Sequence, residues 1–332
     1  MIARPVVPLS VLDLSILREG ANSADALAQT TTVAQCADDH GYERFWVAEH
    51  HNMPSVACTA PPVLIAHLAA KTQRISVGSG GVMLPNHAPL VVAEQFAMLE
   101  ALHPGRIDVG IGRAPGTDQR TAAAVRRSAG ALGAEDFPND LFELMDLLGD
   151  RRFDTTIGDH FKATPAASSY PRIFLLGSSG YSAHLAARLG LPFGFAHHFD
   201  MGGTFEAAEI YRSRFVPSHI LSEPHMIVTA NVLAADSEEE ANWHAKSGRL
   251  TGYLRRTGRF LPLPSPQDAA DHPDIAEAER MPSSRISGEA GMVAERLRQL
   301  VERVGADEVM VTAVAFETSA RVRSLELLAK HW

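Results

Sequence analysis

The chain has 332 residues, of which 45% are hydrophobic and 21% are charged, as is typical of a globular enzyme. This length suits either two average domains or one large α/β barrel. The formal net charge is −9 and the sequence has no basic stripe, so nucleic acid and anionic membranes are poor candidate partners. The two cysteines, Cys36 and Cys58, form no C-x-x-C pair, so we expect neither a disulfide scaffold nor structural zinc.

The chain lacks the long apolar runs that direct a protein to or through a membrane. The opening Met-Ile-Ala-Arg-Pro is not followed by an apolar stretch, so we expect no signal peptide. No uninterrupted run reaches the roughly 18 apolar residues of a transmembrane helix. We therefore expect a cytoplasmic protein.

Short apolar runs alternate with helical patterns along the first third of the chain. Ser23 is expected to cap the first helix and Gly41 to end it. The buried stripe of that helix is predicted to include Leu27, Thr31, Ala34 and Ala37. The predicted strands are 6–12, 44–48, 75–81 and 107–111, and the predicted helices are 24–40, 62–71 and 91–102.

The alternation is interrupted twice in the rest of the chain. The first insertion covers about 114–170, and the second covers about 260–288 and is rich in proline and polar residues. Ser237-Glu-Glu-Glu240 resembles a capping box at the start of a long helix. Further strands are predicted at 173–176, 194–196, 226–233 and 309–314, and helices at 122–131, 140–148, 182–188, 205–215, 292–304 and the C-terminus.

These elements amount to eight strand–helix units, most of them about 30 residues long. That number predicts an α/β fold of the (β/α)8 TIM-barrel type, in one domain that covers 1–332. One insertion follows the fourth strand, and the other precedes the last helix–strand unit. A doubly wound sheet is the alternative that the same alternation allows.

Unusual polar residues and glycines are concentrated where five predicted strands end. In a TIM barrel these C-terminal ends converge on one rim, which is where active sites lie. We therefore expect a ligand site on that rim. The five clusters are 49–51, 78–81, 110–113, 177–180 and 197–198.

Two of these clusters contain a histidine pair. Neighbours on a regular strand point to opposite faces, so only one of His50 and His51, and one of His197 and His198, can face the barrel mouth. The alternative is a hydrogen-bonded histidine at a strand end. We predict no metal site, because the sequence has neither H-x-x-x-H on a helix nor H-x-H on a strand.

Glycines in the second and third clusters suggest close approach by another group. Those at 78–81 predict either a barrel bulge or a backbone that lies flat against a planar ligand. The segment 110–116 is similar to a dinucleotide fingerprint but is broken by Pro115. Arg113 could clamp a phosphate or carboxylate, or form a surface ion pair.

The segment Gly177-Ser-Ser-Gly-Tyr-Ser182 joins a strand to a helix. Its backbone N–H groups at the helix start suit an anion such as a phosphate monoester, and Ser179 and Ser182 could add hydroxyl donors. Simple helix capping by serine is the alternative. The segment is not a P-loop, because no lysine follows the glycines.

Four segments resemble the bacterial luciferase-like flavin monooxygenases, and above all the single-chain bacterial branch of that family. They are Trp46–Asn52, Val77–Pro89, Pro104–Arg113 and Gly177–Ser182. The resemblance implies a TIM barrel, reduced FMN supplied by a separate reductase, O2 as oxidant, a small organic substrate and a homodimer.

The resemblance also implies roles for individual residues. His50 matches the catalytic histidine beside the flavin, and Gly80-Gly81 matches a cis peptide beneath the flavin ring. Light emission is not implied, because Gly112 replaces a reactive cysteine and Ser178 an acidic residue. The other positions matched to cofactor contacts are Arg113, Ser178, Ser179, Gly180, Ser182 and His197, the last in place of an aromatic residue.

Three other functions are compatible with the same residues. The first is hydride transfer with a deazaflavin, which would need a basic groove for the longer cofactor tail. The second is flavin binding without catalysis, and the third is metal-dependent hydrolysis. In the monooxygenase hypothesis, the second insertion would act as a mobile segment that shields the site.

Overall fold

The computed structural model describes residues 6–114, 119–126, 136–153, 155–199 and 201–332. The strands are β1 Leu9–Asp13, β2 Arg44–Val47, β3 Ser76–Met83, β4 Ile107–Gly112, β5 Arg172–Gly177, β6 Phe193–Phe195, β7 Met226–Ala235, β8 Ile286–Glu289 and β9 Glu308–Thr312. All strand pairs are parallel, and eight strands close into a ring in the order β1-β2-β3-β4-β5-β6-β7-β9. The predicted (β/α)8 barrel is confirmed.

Helices surround the barrel and connect its strands. They are α1 Ser23–Asp39, α2 Pro61–Lys71, α3 Pro89–Leu102, α4 Gln119–Arg126, α5 Phe137–Leu147, α6 Ile157–His160, α7 Gly180–Leu189, α8 Thr204–Ser213, α9 Glu238–Arg256, α10 Pro266–Asp271, α11 Ile275–Arg280, α12 Ala290–Val304 and α13 Thr318–His331. None of the helices in the described residues is long and apolar enough to cross a membrane.

The start of α1 differs from the prediction. Asn22, not Ser23, is the N-cap: its side chain accepts from Asp25 N at 3.1 Å, and the Asp25 carboxylate accepts from Asn22 N at 3.0 Å. Asn22 has an acidic residue three positions later, which completes a capping box, whereas Ser23 has Ala26. The helix ends at Asp39, before Gly41.

Two further predictions about helices α1 and α9 are partly confirmed. In α1, Ala34 and Ala37 are buried, and Leu27 and Thr31 are half-buried. The Ser237 side chain caps α9 by accepting from Glu240 N at 3.1 Å. The Glu240 carboxylate bonds to Asp236 N, not to the cap residue.

Both insertions contain secondary structure. The first holds α4, α5 and α6, and the helix predicted over 122–131 lies partly outside the described residues. The second holds α10, α11 and also β8, which the sequence analysis missed. β8 pairs with Val232–Ala235 at the end of β7, outside the ring of eight. With four residues and a single large apolar side chain, Ile286, it has too little pattern to predict.

An ionic layer fills one end of the barrel interior. The Arg44 guanidinium on β2 donates to Glu308 on β9 at 3.0 Å and to Asp108 on β4 at 3.0 Å. Arg172 on β5 donates to the other Asp108 oxygen at 2.8 Å. Because Asp108 and Glu308 are fully buried, Arg44 neutralises charges that water cannot reach.

An apolar layer lies above the ionic one, as alternate residues along each strand point inwards. Trp46 is central: its ring packs edge-on against Phe174 at 4.9 Å between centroids, and its Nε1 donates to Asp108 at 3.0 Å. This cluster of Leu12, Trp46, Ala48, Phe174, Ile227 and Met310 is buried. It forms a dry floor beneath the open end of the barrel.

The ionic layer predicts a large effect of one substitution. Arg44→Met leaves two buried carboxylates without their shared cation, so we expect unfolding free energy to fall by about 3–5 kcal/mol. Urea denaturation followed by circular dichroism measures this. The control is Arg323→Met, which removes an exposed pair with Asp236 and should change stability little. Equal effects of the two substitutions would contradict the interpretation.

Candidate active site

A cavity of about 220 Å³ lies at the C-terminal ends of the barrel strands. All eight barrel strands contribute to its wall, through Leu12, Trp46, Gly80, Gly81, Gly112, Leu176, Gly194, Thr229 and Met310. Seven of the nine predicted site residues line it: His50, Gly80, Gly81, Arg113, Ser178, Ser179 and Ser182. The rim on which we expected a ligand site therefore carries a cavity.

One wall of the cavity is a stretch of backbone without side chains. The Gly80–Gly81 peptide is cis, and the pairing of β3 with β4 shifts register between Gly80 and Val82. A Cβ on Gly80 would lie 2.7 Å from Leu12 Cδ1, and one on Gly81 would lie 2.8 Å from the carbonyl oxygen of Gly110. Larger residues would clash at both positions, so this segment has no side chains. The two alternatives predicted for the glycines, a bulge and a flat backbone surface, are therefore both present.

Glu49 braces this glycine segment. Its backbone N donates to the Gly81 carbonyl at 3.2 Å, and its carboxylate accepts from Met83 N at 3.0 Å. His51 and His87 contact the same carboxylate at 2.8 and 2.9 Å. Burial alone would raise the pKa of Glu49, but the hydrogen bonds from His87, Met83 and His51 hold it below its usual value. Glu49 is therefore an anion that fixes β3.

Glu49, His51 and His87 bring ligand atoms within 4.8 Å of one another, an arrangement that could also hold a metal ion. Their mutual hydrogen bonds are sufficient to explain this approach. This group of three residues was not predicted from the sequence, because His87 follows a different strand from Glu49 and His51. Part of the group is visible in the sequence, because Glu49 and His51 are two residues apart after the end of β2 and can therefore face the same side.

His50 lines the cavity, whereas His51 points to Glu49. Burial lowers the pKa of His50, the positive charge of Arg255 lowers it further, and the backbone of Ala48 opposes both. Within the part of the chain that the structure describes, the buried Nδ1 of His50 has no hydrogen-bond partner. The site thus presents, beside the glycine wall, an imidazole that burial makes harder to protonate and whose Nδ1 has no partner among the described residues.

The turn before α7 forms another part of the wall. Ser179 is the N-cap residue, yet its side chain makes no capping hydrogen bond, so simple capping does not explain a serine at this position. Arg113 lies 4.1 Å from the ring centroid of Tyr181, in the first turn of the same helix. No acidic residue lies in that turn. Backbone N–H groups, hydroxyls and a guanidinium therefore surround a place suited to an anion.

Two of the matched positions do not line the cavity. Gly180 is the first residue of α7 and does not line the cavity, and His198 lines the cavity instead of His197. His197 Nδ1 instead lies 2.8 Å from Thr204 Oγ1. β6 ends at Phe195 and residues 197–199 form a 3₁₀ turn, so strand alternation does not decide which histidine faces inwards.

A second cavity of about 890 Å³, which we term the arginine chamber, adjoins the first. It lies between α9, the second insertion and the barrel rim. The two cavities share Leu14, His198, Phe199 and Arg255, but the chamber includes none of Arg113, Ser178, Ser179 and Ser182. The expected shielding segment therefore forms a wall beside the site; its mobility stays a prediction.

Arg255 was not predicted from the sequence. It lies near the C-terminus of α9 on the same face as Gly248 and Thr251, at spacings of seven and four residues. Both of those residues are buried, so an arginine on that face was the available signal. Arg255 reaches the boundary of the two cavities.

The electrostatics of His50 lead to a test by titration. We expect NMR of the imidazole to give a pKa below the ordinary value of about 6.5. Arg255→Met should raise that pKa, because the substitution removes a nearby positive charge. The control is Arg259→Met, since Arg259 pairs with Asp274 at 2.7 Å and lines neither cavity. An unshifted His50, or equal pKa values in both variants, would contradict this description.

The chain is similar to known proteins over nearly its whole length. The family model for luciferase-like monooxygenases matches residues 9–308. A luciferase-like monooxygenase of Escherichia coli K12 is 41% identical over 97% of this chain and 96% of its own length.

Solved structures share the fold. The crystal structure of apo-MsnO8 superposes with a TM-score of 0.89 at 35% identity, covering 98% of both chains. The oxygenating constituent of 3,6-diketocamphane monooxygenase from Pseudomonas putida, solved in complex with FMN, has a TM-score of 0.73 at 19% identity, with 98% and 97% coverage. The chain belongs to the luciferase-like monooxygenase family.

Proposed function

We propose that the protein is a monooxygenase that uses reduced FMN and O2 to oxygenate a small organic substrate. The observation that carries the proposal is one cavity with three unlike parts. It combines a side-chain-free wall at Gly80-Gly81, a turn at the start of α7 whose N–H and hydroxyl groups suit an anion, and the buried imidazole of His50. A planar ring that bears a phosphate chain matches this combination.

The residues present fit FMN. The isoalloxazine ring would lie against Gly80-Gly81, where no Cβ can be accommodated. The phosphate would bind at the start of α7, with Arg113 as its cation. The donors would be the backbone N–H and hydroxyl groups of Ser178, Ser179 and Ser182, together with the backbone N–H of Gly180, the first residue of α7. His197 is not included, because its Nδ1 contacts Thr204 and His198 lines the cavity in its place.

Reduced FMN, when bound, supplies the electrons that activate O2. His50 would hold or move a proton at Nδ1, the buried nitrogen that lacks a partner in the described residues. A neutral imidazole can serve as both donor and acceptor, which a protonated one cannot. Leu12, Trp46 and Met310 form the apolar floor that keeps water away from the reacting atoms.

A deazaflavin-dependent hydride transfer is the second proposal for the cofactor. The arginine chamber is a basic groove of the kind that its longer tail would require. However, the chamber shares no residue with the phosphate turn from which that tail would extend. This separation favours FMN.

The family resemblance supports two further proposals. We propose that a separate reductase supplies the reduced flavin by diffusion or transient contact, and that the chain forms a homodimer. Both follow from the similarity to luciferase-like monooxygenases over residues 9–308.

The phosphate site can be tested with two flavins that differ only in phosphate. Arg113→Met should weaken the binding of reduced FMN at least tenfold, because the substitution removes a charge-assisted contact with the phosphate. It should leave the affinity for reduced riboflavin unchanged. Anaerobic titration followed by flavin absorbance measures both affinities, with Arg259→Met as the control. A parallel titration uses reduced deazaflavin. Tight binding of deazaflavin alone, or equal weakening of FMN and riboflavin, would overturn the assignment.

The role of His50 is tested by His50→Ala. This variant should bind reduced FMN nearly as tightly as the wild type, because the ring and phosphate contacts remain. After mixing with O2, it should return faster to the oxidised flavin spectrum and release more H2O2, since no imidazole remains to hold a proton beside the flavin. Stopped-flow absorbance and a peroxide assay measure these outcomes. Unchanged reoxidation would exclude this role.

A further inference from the structure

Arg255 is a cation that the surrounding protein leaves without a counter-charge. Its Nε and Nη2 atoms are buried and have no hydrogen-bond partner among the residues that the structure describes. Burial lowers the pKa of Arg255, and no nearby carboxylate opposes this. A buried charged group with unused donors costs free energy unless a ligand satisfies it.

The position of Arg255 indicates where such a ligand would bind. The side chain lines both the cavity that contains His50 and the arginine chamber. Its charge also acts on His50. A molecule that occupies the chamber and pairs with Arg255 would therefore extend towards the imidazole and the glycine wall.

The chamber has an excess of cationic side chains among its described lining residues. The one acidic residue among these described lining residues is Glu279, whose carboxylate already accepts a hydrogen bond from Lys246 Nζ at 3.2 Å. The arginines on the same wall are Arg249, Arg255, Arg256, Arg280 and Arg285. Arg280 pairs with Glu277, which does not line the chamber. Arg256 and Arg285 already take part in interactions of their own, so Arg255 is the cation on this wall with which a ligand would pair. In a chain with a net charge of −9, a buried cation without a partner favours an anionic ligand.

We propose that the substrate is an organic anion whose carboxylate, or equivalent acidic group, binds Arg255 while the rest of the molecule reaches the cavity beside His50. This inference rests on the proposed monooxygenase function and adds the chemical class of the substrate. A planar guanidinium with free N–H donors recognises a carboxylate through paired hydrogen bonds.

The cofactor phosphate is the competing ligand for Arg255. The turn at Ser178, Ser179 and Ser182 already offers a phosphate its donors, and Arg113 offers a cation there. The chamber side of Arg255 includes none of these residues. The two anions would therefore occupy different parts of the site.

Binding of matched acids and amides tests the proposal. The probes are straight-chain alkanoates from butanoate to decanoate and the amides of the same length. Isothermal titration calorimetry measures their binding to the full-length protein, first without flavin and then with FMN. We expect at least one acid to bind tenfold or more tightly than its amide, because only the acid forms a charge-assisted pair.

Three variants assign that preference to Arg255. Arg255→Met should abolish the difference between acid and amide, and Arg255→Lys should retain part of it. Arg259→Met should behave like the wild type, since its pair with Asp274 lies outside both cavities. Equal binding of acids and amides, a preference that survives in Arg255→Met, or no binding of any probe would overturn the proposal.

Titration with FMN and riboflavin separates this proposal from the proposed function. If Arg255→Met weakens the binding of FMN but not that of riboflavin, Arg255 binds the cofactor phosphate and the substrate proposal is wrong. If FMN fails to bind while acids bind through Arg255, the flavin proposal fails alone. If FMN binds and no acid preference is found, only the substrate proposal fails.

Discussion

The buried guanidinium of Arg44 is the interaction on which the rest of the barrel depends. It joins β2 to β4 through Asp108 and to β9 through Glu308, so one cation links strands on different sides of the ring. Trp46 donates to the same Asp108 and thereby connects the ionic layer to the apolar layer above. The cavity floor is the upper surface of that second layer.

The cavity combines a tightly packed glycine segment with a histidine nitrogen that has no partner among the described residues. At Gly80 and Gly81 the chain has no side chains because neighbouring atoms occupy the space that a Cβ would need. Glu49 fixes this segment through its backbone and its carboxylate, while the next residue, His50, stays without a partner at Nδ1 among the described residues. Two adjacent residues that follow β2 therefore have different roles: Glu49 fixes the glycine wall, and His50 presents its imidazole to the cavity.

Much of the fold could be predicted because its signals are local. Alternating apolar runs gave the eight barrel strands, and the glycines and serines at strand ends indicated the rim. β8 was missed because its four residues have no clear pattern and its pairing with β7 is a tertiary feature. Asn22 was overlooked as a cap because the decisive carboxylate lies three residues later, at Asp25.

The site was harder to predict where its residues come from outside the strand ends. Arg255 lies on a helix about 200 residues after His50 in the chain, and only the fold brings them together. His197 was assigned to the cofactor site from the family resemblance alone, whereas the 3₁₀ turn at 197–199 places His198 on the cavity wall. The roles of His50, Gly80, Gly81, Arg113 and the serines near α7 stay predictions.

A crystal structure of the protein grown with FMN would show whether this cavity holds the flavin. We expect electron density for the flavin ring against Gly80-Gly81, its phosphate at the first turn of α7 beside Arg113, and His50 at the edge of the ring. Flavin density elsewhere in the molecule, or no flavin density in this cavity at millimolar FMN, would contradict this placement.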